Sequence, residues 1–461
     1  MSEQTKYLLS ESDIPKAWYN INADMHVDPG ETAWNAVLDP ATQEPLPPDA
    51  LSAFFPQRFV ELMASTDRWI EIPEPVLDVY KLWRPTPLIR ARRLEKALDT
   101  PAHIYYKYEG VSPVGSHKPN TAVPEAFYAK DDGATGCITA TGAGQWGSAL
   151  AMACRFFDLE CHVYMVRVSY YQKPYRRILM ESFGATVLPS PSDKTEYGRR
   201  LLAEDPNHPG SLGIAASEVM EAAATFGGKL KNAVGSVLGP VLMHQTVIGL
   251  EALQQFELAG EYPDVVIACN GAGSNFGGFA FPFLHQNFTA GKNTRAVAVE
   301  PMACPSLTKG RYAFDYIDTA QRHPLIKMHT LGRTFVPPGI HAGGLRYHGM
   351  APQVSALYDH GDIEAVAVHQ LATFDASLQF ARAEGILPAP ESGHAVKVII
   401  DEALRCKETG KAEVIAFNLS GHGHYDLAAY DAYLKNELED YEYPDEAVQE
   451  ALSHVPEVAL A

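Results

Sequence analysis

No pair of cysteines in this sequence is spaced to grip a metal or to cycle a disulfide. Six are present, Cys137, Cys154, Cys161, Cys269, Cys304 and Cys406, without a C-x-x-C among them. Several lie in apolar runs such as DVVIAC, where a thiol is a small core residue, so they are expected reduced and buried, and no metal site is expected. Nor does any apolar run reach the roughly 18 residues that a membrane span needs, and the opening MSEQTKYLLSESDIPKAW is too polar for a secretory signal. A soluble, cytoplasmic protein follows as the expectation. Positive charge is scarce as well: 37 Lys and Arg face 56 Asp and Glu, for a net charge of -19. That surface repels nucleic acid and anionic membranes, and an anionic substrate would need a locally basic pocket. Internal repeats and low-complexity tracts are absent.

What is present is enough chain, 461 residues, for more than one core. Residues 1–82 are rich in Pro and acidic residues (DPATQEPLPPDA), lack sustained periodicity and read as an ordered arm with short helices such as SAFFPQRFVELMA. After RPTPL (Arg84 to Leu88) short β-type runs alternate with helices, beginning with HIYYKYE. GCIT, a Gly-rich turn, the helix GSALAMACRFF, the strand CHVYMVRV and the helix KPYRRILMESF closed by Gly184 form a β-α-β-α series. A second series runs DVVIAC, a Gly-rich loop, the helix FGGFAFPFL and the strand RAVAVEP, with EAVAV and EVIAFNL completing it. The expected fold class is α/β: two three-layer domains with mostly parallel sheets, 83–244 and 245–440, with a cleft between them and a tail over 441–461.

Five segments could carry chemistry. In VSPVGSHKPNTAV, Lys118 follows a Gly-Ser-His turn and precedes Pro119, a residue suited to the first turn of a helix. A functional lysine must lose its proton, which requires burial or a nearby cation. In TATGAGQWGSALA the backbone N–H groups of Thr141, Gly142, Ala143, Gly144, Gln145 and Trp146 can converge on an anion at a helix N-terminus, and a substrate carboxylate suits them. In CNGAGSNFGG, Gly271, Ala272, Gly273, Ser274 and Asn275 can wrap a phosphate monoester. The near match to G-x-G-x-x-G places the third glycine one residue late, at Gly277, and argues against a dinucleotide. NLSGHGHYD puts Ser420 at the end of the last strong strand, and EGILPAPESGHA ends a helix at Glu384 before a Pro-punctuated turn.

In this order, RPTPL, GSHKPNTA, TGAGQWG, GAGSNFGG, GLRYHG, EGILPAPESGHA and SGHGHYD resemble the tryptophan synthase β family, in its longer-armed second subgroup, over nearly the whole chain. The resemblance implies a lyase of fold type II that holds pyridoxal 5'-phosphate on Lys118. His117 and the loop from Gly271 to Asn275 would hold the phosphate and Asn120 the ring hydroxyl. Glu384 would lie beside the ring and Ser420 at its nitrogen, where a neutral partner moderates the electron sink. Thr141 to Trp146 would bind the amino acid carboxylate. It further implies β-replacement on L-serine or O-phospho-L-serine with indole as nucleophile, a homodimer, and an arm that hinders docking of an α subunit; a monovalent cation is left open.

Three positions depart from the family pattern. Ala140 stands where the family has a glutamate that engages the indole N–H and moves protons around Cβ. One positioned acid or base is worth about 10²–10⁴ in rate, so indole coupling is expected to suffer, leaving β-elimination, a different nucleophile or a catalytically impaired homologue as alternatives. Ala272 replaces a usual glycine, which is tolerable if its φ stays negative. Arg346 in GLRYHG replaces an aspartate that contacts the serine hydroxyl; a guanidinium there suits a phosphorylated leaving group or a structural ion pair equally.

Overall fold

The computed structural model describes residues 4–25 and 35–458; residues 1–3 and 26–34 of the arm and 459–461 of the tail lie outside them. Runs of small and β-branched apolar residues become strands, in chain order β1 (Lys6–Tyr7), β2 (Leu88–Arg90), β3 (His103–Tyr108), β4 (Gly136–Thr141), β5 (Glu160–Val166), β6 (Thr186–Ser190), β7 (Leu230–Asn232), β8 (Val265–Cys269), β9 (Arg295–Pro301), β10 (Glu364–Val368) and β11 (Val414–Leu419). Seven form one sheet in the order β1-β2-β3-β11-β8-β9-β10, and four form another in the order β7-β4-β5-β6. The five strands from β3 to β10 are parallel, as is the whole four-stranded sheet. Parallel strands need helical crossovers on their faces and are buried on both sides; every residue of VVIAC in β8 is buried accordingly.

The sheets do not divide the chain at residue 244. β3 pairs in parallel with β11, Val414 opposite His103, and carries β2 and the arm strand β1 into the sheet built from the C-terminal half. The arm is therefore woven into the core: Ala17–Tyr19 pairs with Trp69–Glu71, Val37–Leu38 joins the hairpin of Arg311–Tyr316 and Leu325–Thr330, and Trp18 packs on His244. The expected helix SAFFPQRFVELMA is split at Pro56 into Pro48–Ser52 and Gln57–Ala64, because proline supplies no N–H to continue a helix. All six cysteines are buried and unpaired. Among the described residues no helix is long and apolar enough to cross a membrane, and no group of His, Cys, Asp or Glu is arranged to hold a metal.

Candidate active site

A cavity of about 170 Å³ opens between the two sheets, and Lys118 lines it. Pro119 starts the helix Pro119–Asp131, so Lys118 is fixed at its N-terminal boundary. Its Nζ donates to the carbonyl of Gly235 and to Ser274 Oγ (2.8 Å). Burial pulls the amine down to about 8, against the pull of Cys269, Glu125 and Glu391. Burial thus eases the loss of the proton that a functional lysine requires. His117 follows the same logic: burial, then the charge of Lys118, holds it well below the usual histidine range. Its Nε2 lies 3.2 Å from Ser274 Oγ, while Nδ1 is buried without a partner.

Two glycine-led helix starts face this amine. Gly273, at φ 114°, introduces the helix Ser274–Ala290, and Gly144, at φ 98°, introduces Gln145–Phe156; only glycine adopts such angles without strain. The first N–H groups of both helices have no partner within the helix. Thr141, Gly142, Ala143, Gln145 and Trp146 line the cavity on one side, and Gly271, Ala272, Ser274 and Asn275 on the other. A Cβ on Gly271 would come within 2.4 Å of the Gly344 carbonyl. Ala272 avoids positive φ, so its N–H keeps the loop's direction. Ser420 also lines the cavity; its hydroxyl lies 3.1 Å from Ser392 Oγ and its carbonyl accepts from the His117 N–H.

Two expected residues lie elsewhere. Glu384 does not face the cavity: it ends the helix Gln370–Glu384 and accepts from the N–H groups of Arg93 and Leu94, capping the helix Arg92–Leu98. The carboxylate at the cavity is Glu391, in the first turn of Pro390–Thr409. Its Oε1 accepts from Gln145 Nε2 (2.8 Å) and the Gly344 N–H (2.9 Å), and its Oε2 is buried without a partner. Both glutamates belong to EGILPAPESGHA, and the prolines between them were the available signal, since Pro390 starts a helix whose first turn meets the cleft. Asn120 also turns away, donating to Glu109 (3.0 Å) and Gln245 (3.0 Å) and accepting from Arg84 (2.8 Å). Arg346 does line the cavity. It is buried with no ion pair among the described residues, donating to Ser169 Oγ (2.9 Å) and the Pro338 carbonyl.

A desolvated lysine between two glycine-led N-termini defines a class of site: an α/β fold with a buried amine suited to an aldehyde and, at each helix start, N–H groups suited to an anion. The unpartnered His117 Nδ1 and the close cradle at Gly271 fit a phosphate monoester beside that amine. The sequence comparison agrees, since residues 79–421 match the family of pyridoxal-phosphate dependent enzymes. Among curated relatives, tryptophan synthase beta chain 2 of Aquifex aeolicus is 58% identical over 94% of this chain and all of its own length. That of Methanosarcina acetivorans is 56% identical over 95% and 97%. The chain belongs to the pyridoxal-phosphate-dependent enzyme family, on its tryptophan synthase β branch. The fold is shared with an O-acetyl serine sulfhydrylase of Entamoeba histolytica (TM-score 0.56, 17% identity, 83% of this chain and 96% of the other) and an L-serine ammonia-lyase of Rhizomucor miehei (0.56, 15%, 77% and 98%).

Proposed function

We propose that this chain replaces the β substituent of L-serine or O-phospho-L-serine, with indole as the incoming nucleophile and L-tryptophan as the product. The observation that carries the reading is Lys118, an amine buried to a pKa of about 8 between the two helix starts, in a chain so close to tryptophan synthase β chains. Pyridoxal phosphate, when bound, supplies the electron sink that makes the Cα proton removable. Lys118 takes that proton and later returns one to Cα. His117, Ser274 and the Gly271–Asn275 loop would hold the cofactor's phosphate, the Thr141–Trp146 loop would receive the substrate carboxylate, and Ser420 would meet the ring nitrogen with a neutral hydroxyl. Glu391, tying Gln145 to the N–H of Gly344, holds the carboxylate loop against the 343–345 turn. Arg346, a buried cation without a carboxylate partner, favours a phosphorylated donor.

One observation favours a second reading, β-elimination or capture of another nucleophile: Ala140 lines the cavity and offers only a methyl group. The deciding experiment is product analysis from serine and from phosphoserine, with and without indole, repeated with Ala140→Glu. Tryptophan formation rising about 10²-fold in the variant supports a role for a carboxylate there. Brisk tryptophan formation by the parent, unimproved by Ala140→Glu, removes that importance, and pyruvate without tryptophan sustains the second reading. The same assay in potassium, sodium and caesium salts tests for a monovalent cation. The assembly we propose is a cytoplasmic homodimer that does not recruit an α subunit, which sedimentation alone and with an α subunit would check.

A further inference from the structure

Beyond Ala140 the cavity turns apolar, lined by Phe55, Leu212, Ala216, Val219 and Ile317. The polar side chains on that stretch are few. The Thr139 hydroxyl is occupied, donating to the Ala233 carbonyl and accepting from Trp146 Nε1. Asn232 lines the wall, but an amide neither takes nor gives a proton at neutral pH. The Tyr347 hydroxyl is occupied by the Ile317 carbonyl (2.8 Å), which leaves His323, in the loop between Arg311–Tyr316 and Leu325–Thr330.

His323 is 3% exposed, and its Nε2 has no hydrogen-bond partner among the described residues. Its Nδ1 lies 3.5 Å from Oδ1 of the fully buried Asp318, an ion-pair distance without a hydrogen bond. Asp318 is fixed from three sides: it accepts from the Ser217 hydroxyl (2.6 Å) and from the N–H groups of Arg322 (2.9 Å) and His323 (2.8 Å). Although burial pushes its carboxyl up, these contacts and the His323 ring hold it below the ordinary aspartate range. The helix Leu212–Thr225 joins this pair to Ala140, because Ser217 holds Asp318 while Ala215 and Val219 pack in the cluster that Ala140 abuts. A histidine that lines a substrate cavity with a firmly held, buried carboxylate beside its ring is placed to act as a general acid–base.

We propose that His323, oriented by Asp318, serves the incoming nucleophile as its proton acceptor, in the cavity where Ala140 carries no such group. This rests on the reading of the site as a β-replacement centre. The Cβ substituent leaves with its bonding electron pair while Lys118 holds the Cα proton. The electron pair of the nucleophile then forms the bond to Cβ, one proton passes from the nucleophile to His323 Nε2 and on to the departed hydroxide or phosphate, and Lys118 returns its proton to Cα. His323 is then a catalytic residue and Asp318 a positioning residue.

The test uses the holoenzyme and the variants His323→Gln and Asp318→Asn. His323→Gln should lower kcat for tryptophan formation about 10²-fold and slow deuterium exchange at serine Cα, measured without indole, far less. Asp318→Asn should fall between, with kcat more affected than the KM for indole. Independently of turnover, the ¹⁵N resonance of His323 in labelled holoenzyme, assigned by its loss in His323→Gln, should move when indole is added. Parental coupling in His323→Gln, equal loss of coupling and exchange, or a resonance indifferent to indole would each overturn the proposal. A parent that makes pyruvate but no tryptophan overturns the β-replacement reading instead, and the His323 resonance then decides by itself whether the pair meets the nucleophile.

Discussion

At the scale of single residues the site depends on changing what ordinary side chains do. A solvated lysine of pKa about 10.4 is neutral in roughly one molecule in a few thousand at pH 7, whereas one near 8 is neutral in roughly one in ten. Burial of Lys118 supplies that difference. The depressed value means that the reactive form is present above about 8 and is lost as the pH falls through it. Borohydride trapping of the cofactor-free chain with a small aldehyde should therefore label the Lys118 peptide with a rate that levels off just above pH 8, while surface lysines keep gaining toward pH 10. A Lys118 profile that tracks the surface lysines would show that the burial does not tune the amine. This residue was legible in the sequence because Pro119 marks a helix start and the Gly-Ser-His turn presents what precedes it. His323 was not: a histidine five residues after an aspartate in DTAQRHPL has no local signature, and only the fold brings Ser217 and the cavity to the pair.

At the scale of elements, most strands flanking the cleft could be read from composition and period. GCIT, DVVIAC, RAVAVEP, EAVAV and EVIAFNL all fall in strands, and GCIT and DVVIAC pass through Gly-rich turns into helices as expected. Reach across the fold was harder to read. Glu384 and Glu391 are seven residues apart in one motif, and which of them meets the cleft depends on how the helix ending at Glu384 packs. That packing turns Glu384 toward the N-terminus of Arg92–Leu98, whose own N-cap residue, Ala91, has no side chain able to accept a hydrogen bond. Glu384→Ala should thus cost about 1 kcal/mol, as loss of a helix cap does, and be seen as a lower thermal midpoint with cofactor absorbance and turnover retained. Glu391→Ala should do the reverse, melting near the parent and losing turnover, because the bridge from Gln145 to the Gly344 N–H goes with it. Loss of turnover in Glu384→Ala at parental stability would restore the sequence-based assignment.

At the scale of the molecule, RPTPL explains how the arm, the seven-stranded sheet and the lysine helix become one body. Arg84 donates to Glu251 through Nε and Nη2 (2.8 Å each) and to Glu109 through Nη1 (3.0 Å). Lys107, on β3, donates to Glu251 (2.7 Å), to Gln255 (2.9 Å) and to the Thr86 carbonyl (2.6 Å). Asn120, two residues after Lys118, joins Glu109, and Gln255 donates onward to the carbonyl of Tyr7 in the arm strand. The four charged side chains are fully buried, two of each sign. Such a cluster adds little net stability over an apolar one, yet removing one member is costly because the others stay buried without their counter-charge. Glu251→Gln leaves Arg84 and Lys107 facing Glu109 alone, and should cost about 3–5 kcal/mol in a urea unfolding experiment. The pH dependence has a definite sign. Burial raises the Glu109 carboxyl, but Arg84 and Lys107 outweigh it and hold it below the ordinary range. Its contribution is thus full above about pH 4 and is lost as the pH falls through the lowered value. Glu251→Gln should accordingly unfold at lower urea across neutral pH, and its cofactor absorbance should be lost along the same curve, because the cluster reaches the lysine helix through Asn120. If absorbance survives while the arm detaches, as judged by protease cleavage before residue 80, the cluster fastens the arm alone and the lysine is positioned without it.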